Sequence, residues 1–171
     1  LNMGYDTNPL FSPDGKNIAW QSMERDGYES DRNRLCVMDM KTHKKSYLTE
    51  SFRSNVEQYI WGKDSKTLYF TGVWHGLMSV YSTNLKAQVK EVAGGQFDYN
   101  TITLAGKNLI CKRQSMQKAD EIYKINLEKK GECTPITAEN KQFYDKMAIG
   151  DVKPRWTKTV DGKDLLSWVI Y

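Results

Sequence analysis

The chain has 171 residues, of which 39% are hydrophobic and 12% aromatic, which is enough for one or two domains with an apolar core. Its net charge is +4, from 25 basic and 21 acidic residues mixed along the chain, which argues against the concentrated basic surface of a nucleic-acid-binding protein. No apolar run approaches the roughly 18 residues of a membrane span. Cys36, Cys111 and Cys133 show none of the spacings of a zinc site, so no metal and no cofactor is predicted.

Two segments of the chain repeat one pattern. Residues 11–20 (FSPDGKNIAW) are matched by residues 61–70 (WGKDSKTLYF), so that Asp14 and Asp64 are 50 positions apart. Each copy has an aromatic residue, a polar turn and then a run rich in β-branched and aromatic residues, which indicates two strands joined by a β-turn. A third copy, at residues 107–111, keeps the strand and lacks the Asp-Gly turn.

Each copy continues into two further strands. The third strand of each unit is predicted to end at Asp39, Asn84 or Asn126, because short polar side chains bond readily to the backbone of a following turn. The last of these turns is residues 128–131. A short fourth strand closes each unit: residues 47–49, 91–93 and 135–137.

Four strands per unit, at a period of about 40 to 50 residues, are typical of β-propeller blades. The sequence therefore predicts an all-β fold, a partial β-propeller of three four-stranded blades within residues 1–137. The blades are residues 7–49, 52–93 and 97–137. Aromatic residues are expected to fill the layers between the sheets: Trp20, Trp61, Tyr69 and Phe70. A closed propeller has about four to eight blades, so the chain is expected to be part of a larger one.

The remaining residues follow a different pattern. Residues 138–150 are predicted to be a linker with a short helix, which extends from about residue 137 to residue 147. Residues 151–171 are predicted to be a β-hairpin that turns at Asp161 and Gly162, since Asp-Gly between two β-rich segments is a strong hairpin signal. The hairpin has no counterpart in the blades, so it is expected to begin another domain.

The motif at residues 11–19 resembles the propeller repeats shared by the TolB protein and the prolyl oligopeptidase family of serine peptidases. The stretch at 159–168 (TVDGKDLLSW) resembles the strand pair by which those peptidases leave the propeller and enter their α/β-hydrolase domain. Residues 26–35 (DGYESDRNRL) are similar to the dipeptidyl-peptidase-like and acylaminoacyl-peptidase-like branch of the family. The resemblance covers essentially the whole chain and implies the C-terminal part of the propeller domain.

The resemblance implies a two-domain enzyme that acts on short peptides, with the propeller as a cap that admits them and excludes folded proteins. The catalytic Ser, Asp and His of that family lie in the hydrolase domain, so no catalytic residue is assigned in this chain and the isolated segment is expected to be inactive. The implied partners are the hydrolase domain of the same parent chain and short peptide substrates. The implied location is periplasmic or secreted. Exopeptidase and endopeptidase members both remain open.

Substrate contacts are expected on the connections between the second and third strands of each blade, since equivalent connections lie on one face of a propeller. These connections are residues 22–33, 72–76 and 114–118. The candidate substrate-binding residues are Glu24, Arg25, Glu29, Trp74 and His75, with carboxylates available to a peptide α-amino group. The alternative is a solvated loop with weak local ion pairs. Asp31 and Arg34 are alternatively expected to tie blades together.

The rival hypothesis is a TolB-like, non-catalytic propeller that binds a protein partner through its loops. A homo-oligomer is a further expectation, because three blades leave the outer faces of the first and third sheets without a neighbour, and both faces are predicted to be apolar.

Overall fold

The computed structural model describes residues 2–129 and 131–171 and is all-β apart from one helical turn. Two residues named in the predictions lie outside the described residues. They are residue 1, where the predicted 1–137 segment begins, and residue 130, in the turn predicted at 128–131.

Twelve of the strands form three antiparallel four-stranded sheets, each in simple chain order. The first sheet contains β1 (Asp6–Phe11), β2 (Asn17–Ser22), β3 (Arg34–Asp39) and β4 (Lys45–Tyr47). The second contains β5 (Gln58–Trp61), β6 (Thr67–Trp74), β7 (Leu77–Asn84) and β8 (Lys90–Ala93). The third contains β9 (Asp98–Ala105), β10 (Asn108–Ser115), β11 (Lys118–Asn126) and β12 (Cys133–Pro135). The prediction of three four-stranded units is confirmed.

The polar turns that repeat in the sequence form for a local reason. The carboxylate of Asp14 accepts a hydrogen bond from the backbone N–H of Lys16 at 3.1 Å, and that of Asp64 accepts one from the backbone N–H of Lys66 at 3.0 Å. Gly15 and Ser65 occupy the same left-handed position, with φ of 70° and 56°. The backbone N–H of Asp14 donates to the Ser65 hydroxyl at 3.1 Å, which joins the two turns at one end of their sheets.

Two apolar layers hold the three sheets together. In the first layer, Phe52, Phe70 and Tyr81 pack with ring centroids 4.8 to 5.4 Å apart, between the first and second sheets. Burying a side chain such as Phe70, which is fully inaccessible, contributes about 1.5–3 kcal/mol. The second layer lies between the second and third sheets and contains the fully buried Leu109.

Polar bonds also cross between the sheets. The Gln21 amide donates to the carbonyl oxygen of Val56. The Gln58 amide bonds twice to the backbone of Ile102, at 3.0 Å to its N–H and 3.3 Å to its carbonyl oxygen. A side-chain amide therefore ties the first sheet to the segment that leads into the second, and another ties the second sheet to the third.

The two outer faces differ from each other and, in part, from expectation. Trp20 does not enter a layer between sheets as predicted, because it alternates with Ala19 and points to the free face of the first sheet, beside Cys36 in register. Lys45 lies over its ring at 5.2 Å. The free face of the third sheet carries the ion pair between Lys112 and Asp120, at 3.0 Å, so it is more polar than predicted.

The C-terminal segment contains one helical turn, α1 (Lys141–Tyr144), and a two-stranded hairpin of β13 (Val152–Lys158) and β14 (Asp164–Ile170). The helix is shorter than the 137–147 predicted because none of its residues is buried, and a short helix without tertiary packing is marginal. The hairpin loop is residues 159–163, with Gly162 at φ 80°. It is longer than an isolated Asp-Gly turn.

Candidate functional site

The connections between the second and third strands of each sheet lie at one end of the sheets, opposite the Asp14 and Asp64 turns. They are residues 23–33, 75–76 and 116–117. The hairpin lies at the same end, because Val152 and Trp168 line a small pocket together with residues of the second and third connections. This end therefore holds all five of the predicted substrate-contact residues.

Asp31 organises the long first connection. Its carboxylate accepts hydrogen bonds from the guanidinium of Arg25, at 2.8 Å and 3.2 Å, and from the backbone N–H groups of Arg25 and Glu24, at 2.7 Å and 3.0 Å. These bonds, those of the Arg25 side chain first, hold the pKa of Asp31 far below its usual value. Arg25 also lies 3.8 Å from the centroid of the Tyr28 ring. The connection is thus a fixed turn, with the cation of Arg25 already engaged.

The predicted carboxylates of this connection face solvent. Glu24 lies 3.3 Å from Arg34 and keeps 72% of its side chain exposed, and Glu29 is exposed. Arg34 also contacts Glu50, at 3.4 Å. Exposed ion pairs of this kind are weak, so both predicted carboxylates are accessible to an amino group. Arg34 and Asp31 do not tie blades together as expected, since Arg25 and Glu24 belong to the first unit and Glu50 lies in the segment between the first and second units.

Trp74 and His75 stack at the second connection, with ring centroids 4.6 Å apart. The turn has positive φ at His75 (53°) and Gly76 (73°), the combination that a two-residue hairpin turn requires. The His75 ring meets the edge of Trp156 in the hairpin at 5.1 Å. We call Trp74, His75 and Trp156 the aromatic surface; Trp74 is 44% exposed and Trp156 49% exposed.

The structure therefore separates the predicted residues into two groups. Glu24, Arg25 and Glu29 belong to the first connection, and Trp74 and His75 belong to the second. Within residues 2–129 and 131–171, no ion pair or ring contact joins the two groups. Together they provide carboxylates for an amine and flat rings for an apolar side chain, which is binding chemistry.

The structure also contains a larger cavity, of about 520 Å³, which the sequence did not predict. It lies beside the third connection and is lined by Arg113, Tyr123 and Tyr144, among others. One sequence feature pointed to this region. Leu109, Cys111 and Arg113 are alternate residues of β10 and share its core-facing side, so a cation occupies a position where an apolar residue is expected. Strand alternation marks such a residue as unusual without showing what surrounds it.

The described residues contain no group of three or more His, Cys, Asp or Glu side chains placed to hold a metal ion. The three cysteines are free, and burial raises the pKa of the Cys36 thiol to about 11 and that of Cys111 to about 12. No helix in the described part of the chain is long and apolar enough to cross a membrane.

No family model matches the chain. The chain is similar to the dipeptidyl-peptidase 5 of Porphyromonas gingivalis, with 41% identity over 169 residues, which are 98% of this chain and 25% of that protein. The chain thus spans about a quarter of the length of the curated relatives that it matches.

Solved structures show the same architecture. The uncomplexed acylaminoacyl peptidase of Pyrococcus horikoshii matches with a TM-score of 0.76 and 20% identity, over 92% of this chain and 24% of that chain. The β-propeller domain of the Trilobed protease from Pyrococcus furiosus matches with a TM-score of 0.61 and 19% identity, over 78% of this chain and 38% of that chain. At these identities the likeness concerns the fold, and it identifies the three sheets as propeller blades. The resemblance to the propeller part of prolyl-oligopeptidase-type peptidases is confirmed.

Proposed function

We propose that this chain is the propeller part of a serine peptidase that removes dipeptides from short peptides. The observation that carries the proposal is the 41% identity, over 98% of the chain, to a protein named dipeptidyl-peptidase 5. The serine nucleophile, its base and the oxyanion hole are assigned to an α/β-hydrolase domain of the same parent protein. The chain by itself is then a binding and gating part without catalysis.

In this proposal the end of the sheets that carries the hairpin faces the hydrolase domain. Glu24 and Glu29 are exposed carboxylates at that end, and a free peptide amine is the group that they would attract. The aromatic surface offers rings to an apolar side chain of the peptide. The propeller admits a short chain end to this region and keeps folded proteins away from it.

The test uses the full-length protein and two chromogenic dipeptide substrates, one with a free amino end and one with an acetylated amino end. We expect turnover of the free dipeptide, abolished by a serine-directed inhibitor, and little turnover of the acetylated one. The purified 171-residue chain should hydrolyse neither. Faster turnover of the acetylated substrate would contradict dipeptide removal and favour an acylaminoacyl peptidase.

The gating residues are tested by a double variant of the full-length protein, Glu24→Gln with Glu29→Gln. We expect a higher KM for the free dipeptide, because the carboxylates that attract its amine are gone, and a kcat close to that of the wild type. The control is Glu128→Gln, an exposed carboxylate in the turn between β11 and β12 that pairs with Lys107 at 2.7 Å. An equal KM in the double variant and the control would remove these two residues from the proposal.

The rival function, a TolB-like propeller that binds a protein partner without catalysis, makes a different prediction about the parent gene. A coding sequence that continues after Tyr171 into a domain with a Gly-x-Ser-x-Gly motif supports the peptidase. Further blades in that position, with no such domain, support the rival.

A further inference from the structure

The cavity beside the third connection is large enough for a small ligand. Its volume is about 520 Å³, within the range of roughly 300–1,000 Å³ that is common for small-molecule sites. One wall is the face of the third sheet, with Arg113 and Tyr123. The opposite wall is the segment around α1, with Thr137 and Tyr144. The Tyr144 hydroxyl accepts a hydrogen bond from the backbone N–H of Ala119, which fixes that wall against the sheet.

Arg113 is held in this cavity between two aromatic rings. Its guanidinium carbon lies 3.6 Å from the centroid of Tyr123 and 3.9 Å from the centroid of Phe97. Stacking of this kind immobilises a guanidinium while its N–H edge remains able to donate. One of its nitrogen atoms donates to the sulfur of Cys133 at 3.5 Å, which is a weak acceptor. Burial lowers the pKa of Arg113, and hydrogen bonding to the side chains of Tyr99 and Tyr123 raises it, so part of its donor capacity is engaged within the chain. A guanidinium has five N–H donors, and those outside these contacts are the ones that a ligand can use.

The acidic residue nearest to Arg113 in register is engaged elsewhere. Glu121 on β11 lies directly opposite Arg113 on β10. Its carboxylate instead accepts hydrogen bonds from the Thr137 hydroxyl and from the backbone N–H and side chain of Asn140, the latter two at 2.9 and 3.1 Å. Among the salt bridges of the described residues, none includes Arg113.

The charges around the cavity leave a cationic excess. The basic lining residues are Arg113, Lys118 and Lys141, and the acidic ones are Glu121 and Asp145. Asp145 pairs with Lys141, and Glu121 is committed to the Asn140 segment. Arg113 and Lys118 remain as cations for which the described chain supplies no carboxylate partner.

We propose that this cavity is a carboxylate-binding site, in which Arg113 receives the carboxylate of a short peptide. A planar guanidinium matches a carboxylate with two parallel hydrogen bonds, and the rings of Tyr123 and Phe97 offer apolar contact beside it. Two sources present this group, an acidic side chain and a C-terminal α-carboxylate. The choice of a peptide as the ligand rests on the proposed function, whereas the carboxylate chemistry rests on Arg113 alone.

The test measures binding by calorimetry with the full-length protein, so that it does not depend on turnover. Three tripeptide probes separate the sources: N-acetyl-Ala-Ala-Glu-amide carries only an acidic side chain, N-acetyl-Ala-Ala-Gln carries only an α-carboxylate, and N-acetyl-Ala-Ala-Gln-amide carries neither. Mass spectrometry confirms that each probe stays intact. We expect at least one carboxylate probe to bind more tightly than the neutral probe. Equal binding of all three, or no binding of any, overturns the proposal.

Variants then assign the binding to Arg113. In Arg113→Gln, affinity for the preferred probe should fall roughly 10- to 100-fold, which is the loss expected for a hydrogen bond to a charged group. The matched control is Lys124→Gln, which removes the same charge from an exposed position on the opposite face of the same sheet. Equal affinities in these two variants overturn the assignment.

A second variant tests the cavity while Arg113 is kept, so that a folding defect in Arg113→Gln does not decide the outcome. Ala138 is exposed and lines the cavity, so Ala138→Trp obstructs it without removing any contact of Arg113. This variant should lose affinity for the preferred probe while keeping its thermal stability. Retained affinity in Ala138→Trp would place the bound peptide elsewhere. In the wild-type protein, absence of dipeptide hydrolysis with intact binding of a carboxylate probe would contradict the proposed function and leave the carboxylate site standing.

Discussion

Single polar side chains reach from the second sheet to the backbone of the first. The Tyr59 hydroxyl has the carbonyl oxygens of Ala19 and Asn8 within hydrogen-bond distance, at 2.7 and 2.5 Å, and the Trp61 indole N–H donates to the carbonyl oxygen of Leu10 at 3.0 Å. Burial raises the pKa of Tyr59, so its hydroxyl keeps the proton that it donates. These bonds satisfy backbone groups that the apolar layer would otherwise leave without a partner.

Substituting Tyr59 should therefore destabilise the chain beyond the loss of one oxygen atom. We expect Tyr59→Phe to cost about 1–3 kcal/mol, because a buried carbonyl group loses its partner. The control is Tyr69→Phe, at a half-buried tyrosine whose hydroxyl makes no hydrogen bond within the described residues. Urea unfolding of both variants provides the comparison. Similar midpoints for the two would show that the Tyr59 hydroxyl contributes nothing.

Asp31 should make the stability of the first connection dependent on pH. Its folded-state pKa lies below its ordinary value of 3.8, mainly because of the Arg25 side chain. The stabilisation is therefore present above about pH 3.8 and is lost as the pH falls through the folded-state pKa. Thermal unfolding should show a lower Tm for Asp31→Asn than for the wild type at pH 7, with a smaller difference at pH 2.

Asp26→Asn is the control for that pH series, because Asp26 is an exposed carboxylate in the same connection. Its Tm should follow the wild type at every pH. A difference between Asp31→Asn and the wild type that does not change with pH would mean that the Asp31 carboxylate charge is not responsible.

Elements meet where the hairpin of β13 and β14 packs against the turn between β6 and β7. Trp156 contacts His75, and the indole nitrogen of Trp168 would lie 3.3 Å from a Cβ atom added at Gly76. The left-handed backbone of this turn and its lack of a side chain at Gly76 both allow the close approach. The hairpin is thereby fixed to the second blade rather than extending freely from the third.

This contact is tested by comparing two glycines. Gly76→Ala and Gly106→Ala both place a side chain at positive φ, 73° and 63°, at a cost of about 1–2 kcal/mol. Only at Gly76 does the new atom meet the hairpin, since nothing lies within 4 Å of the corresponding atom at Gly106. Amide hydrogen exchange in β13 and β14 should therefore accelerate in Gly76→Ala. Equal exchange in the two variants would show that the hairpin does not depend on this turn.

The elements were largely predictable because their signals are local. Asp14 and Asp64 mark their turns by bonding to the backbone two residues later, and strand alternation follows from the pleat. The face of the sheet that a residue occupies is less predictable than the strand itself. Trp20 is apolar and sits in a strong strand pattern, but the one-residue step from Ala19 decides which side of the sheet it covers.

The candidate site was less predictable because it depends on contacts between distant segments. Trp74 and His75 were identified from the sequence of their connection, whereas the third ring of the aromatic surface, Trp156, comes from the hairpin. The cavity around Arg113 requires α1 to fold back over the third sheet, and Glu121 to turn towards Asn140. No spacing in the sequence encodes either event.

The whole molecule has two outer faces of unequal character. The face of the first sheet carries Phe11, which is 59% exposed, in register with Ile18 and on the same side as Trp20. The face of the third sheet carries the Lys112 and Asp120 ion pair. An apolar face is the more favourable surface for association, because burying it removes apolar area from water.

We therefore expect the 171-residue chain to self-associate through the first sheet, with a molecular mass in light scattering that rises with concentration. Phe11→Lys should reduce this association, because it places a charge on that face. Phe143→Lys is the matched control, at a phenylalanine that is 62% exposed on α1. A mass that stays monomeric at every concentration, or an equal effect of the two substitutions, would contradict this expectation.

The hydrogen bonds made by the side-chain amides of Gln21 and Gln58 help repeated units to assemble in the correct order. Apolar layers built from similar blades discriminate poorly between a correct neighbour and a wrong one. Gln21 and Gln58 each bond to the backbone of one adjoining segment, at Val56 and Ile102. At the 50-residue offset, Gln21 corresponds to Thr71, which has no amide, and Gln58 corresponds to Asn8, whose shorter amide donates to Gln21 within the first sheet, so neither bond between units is repeated. A misordered stack would bury these amides without partners, and this penalty distinguishes the native succession of blades from its permutations.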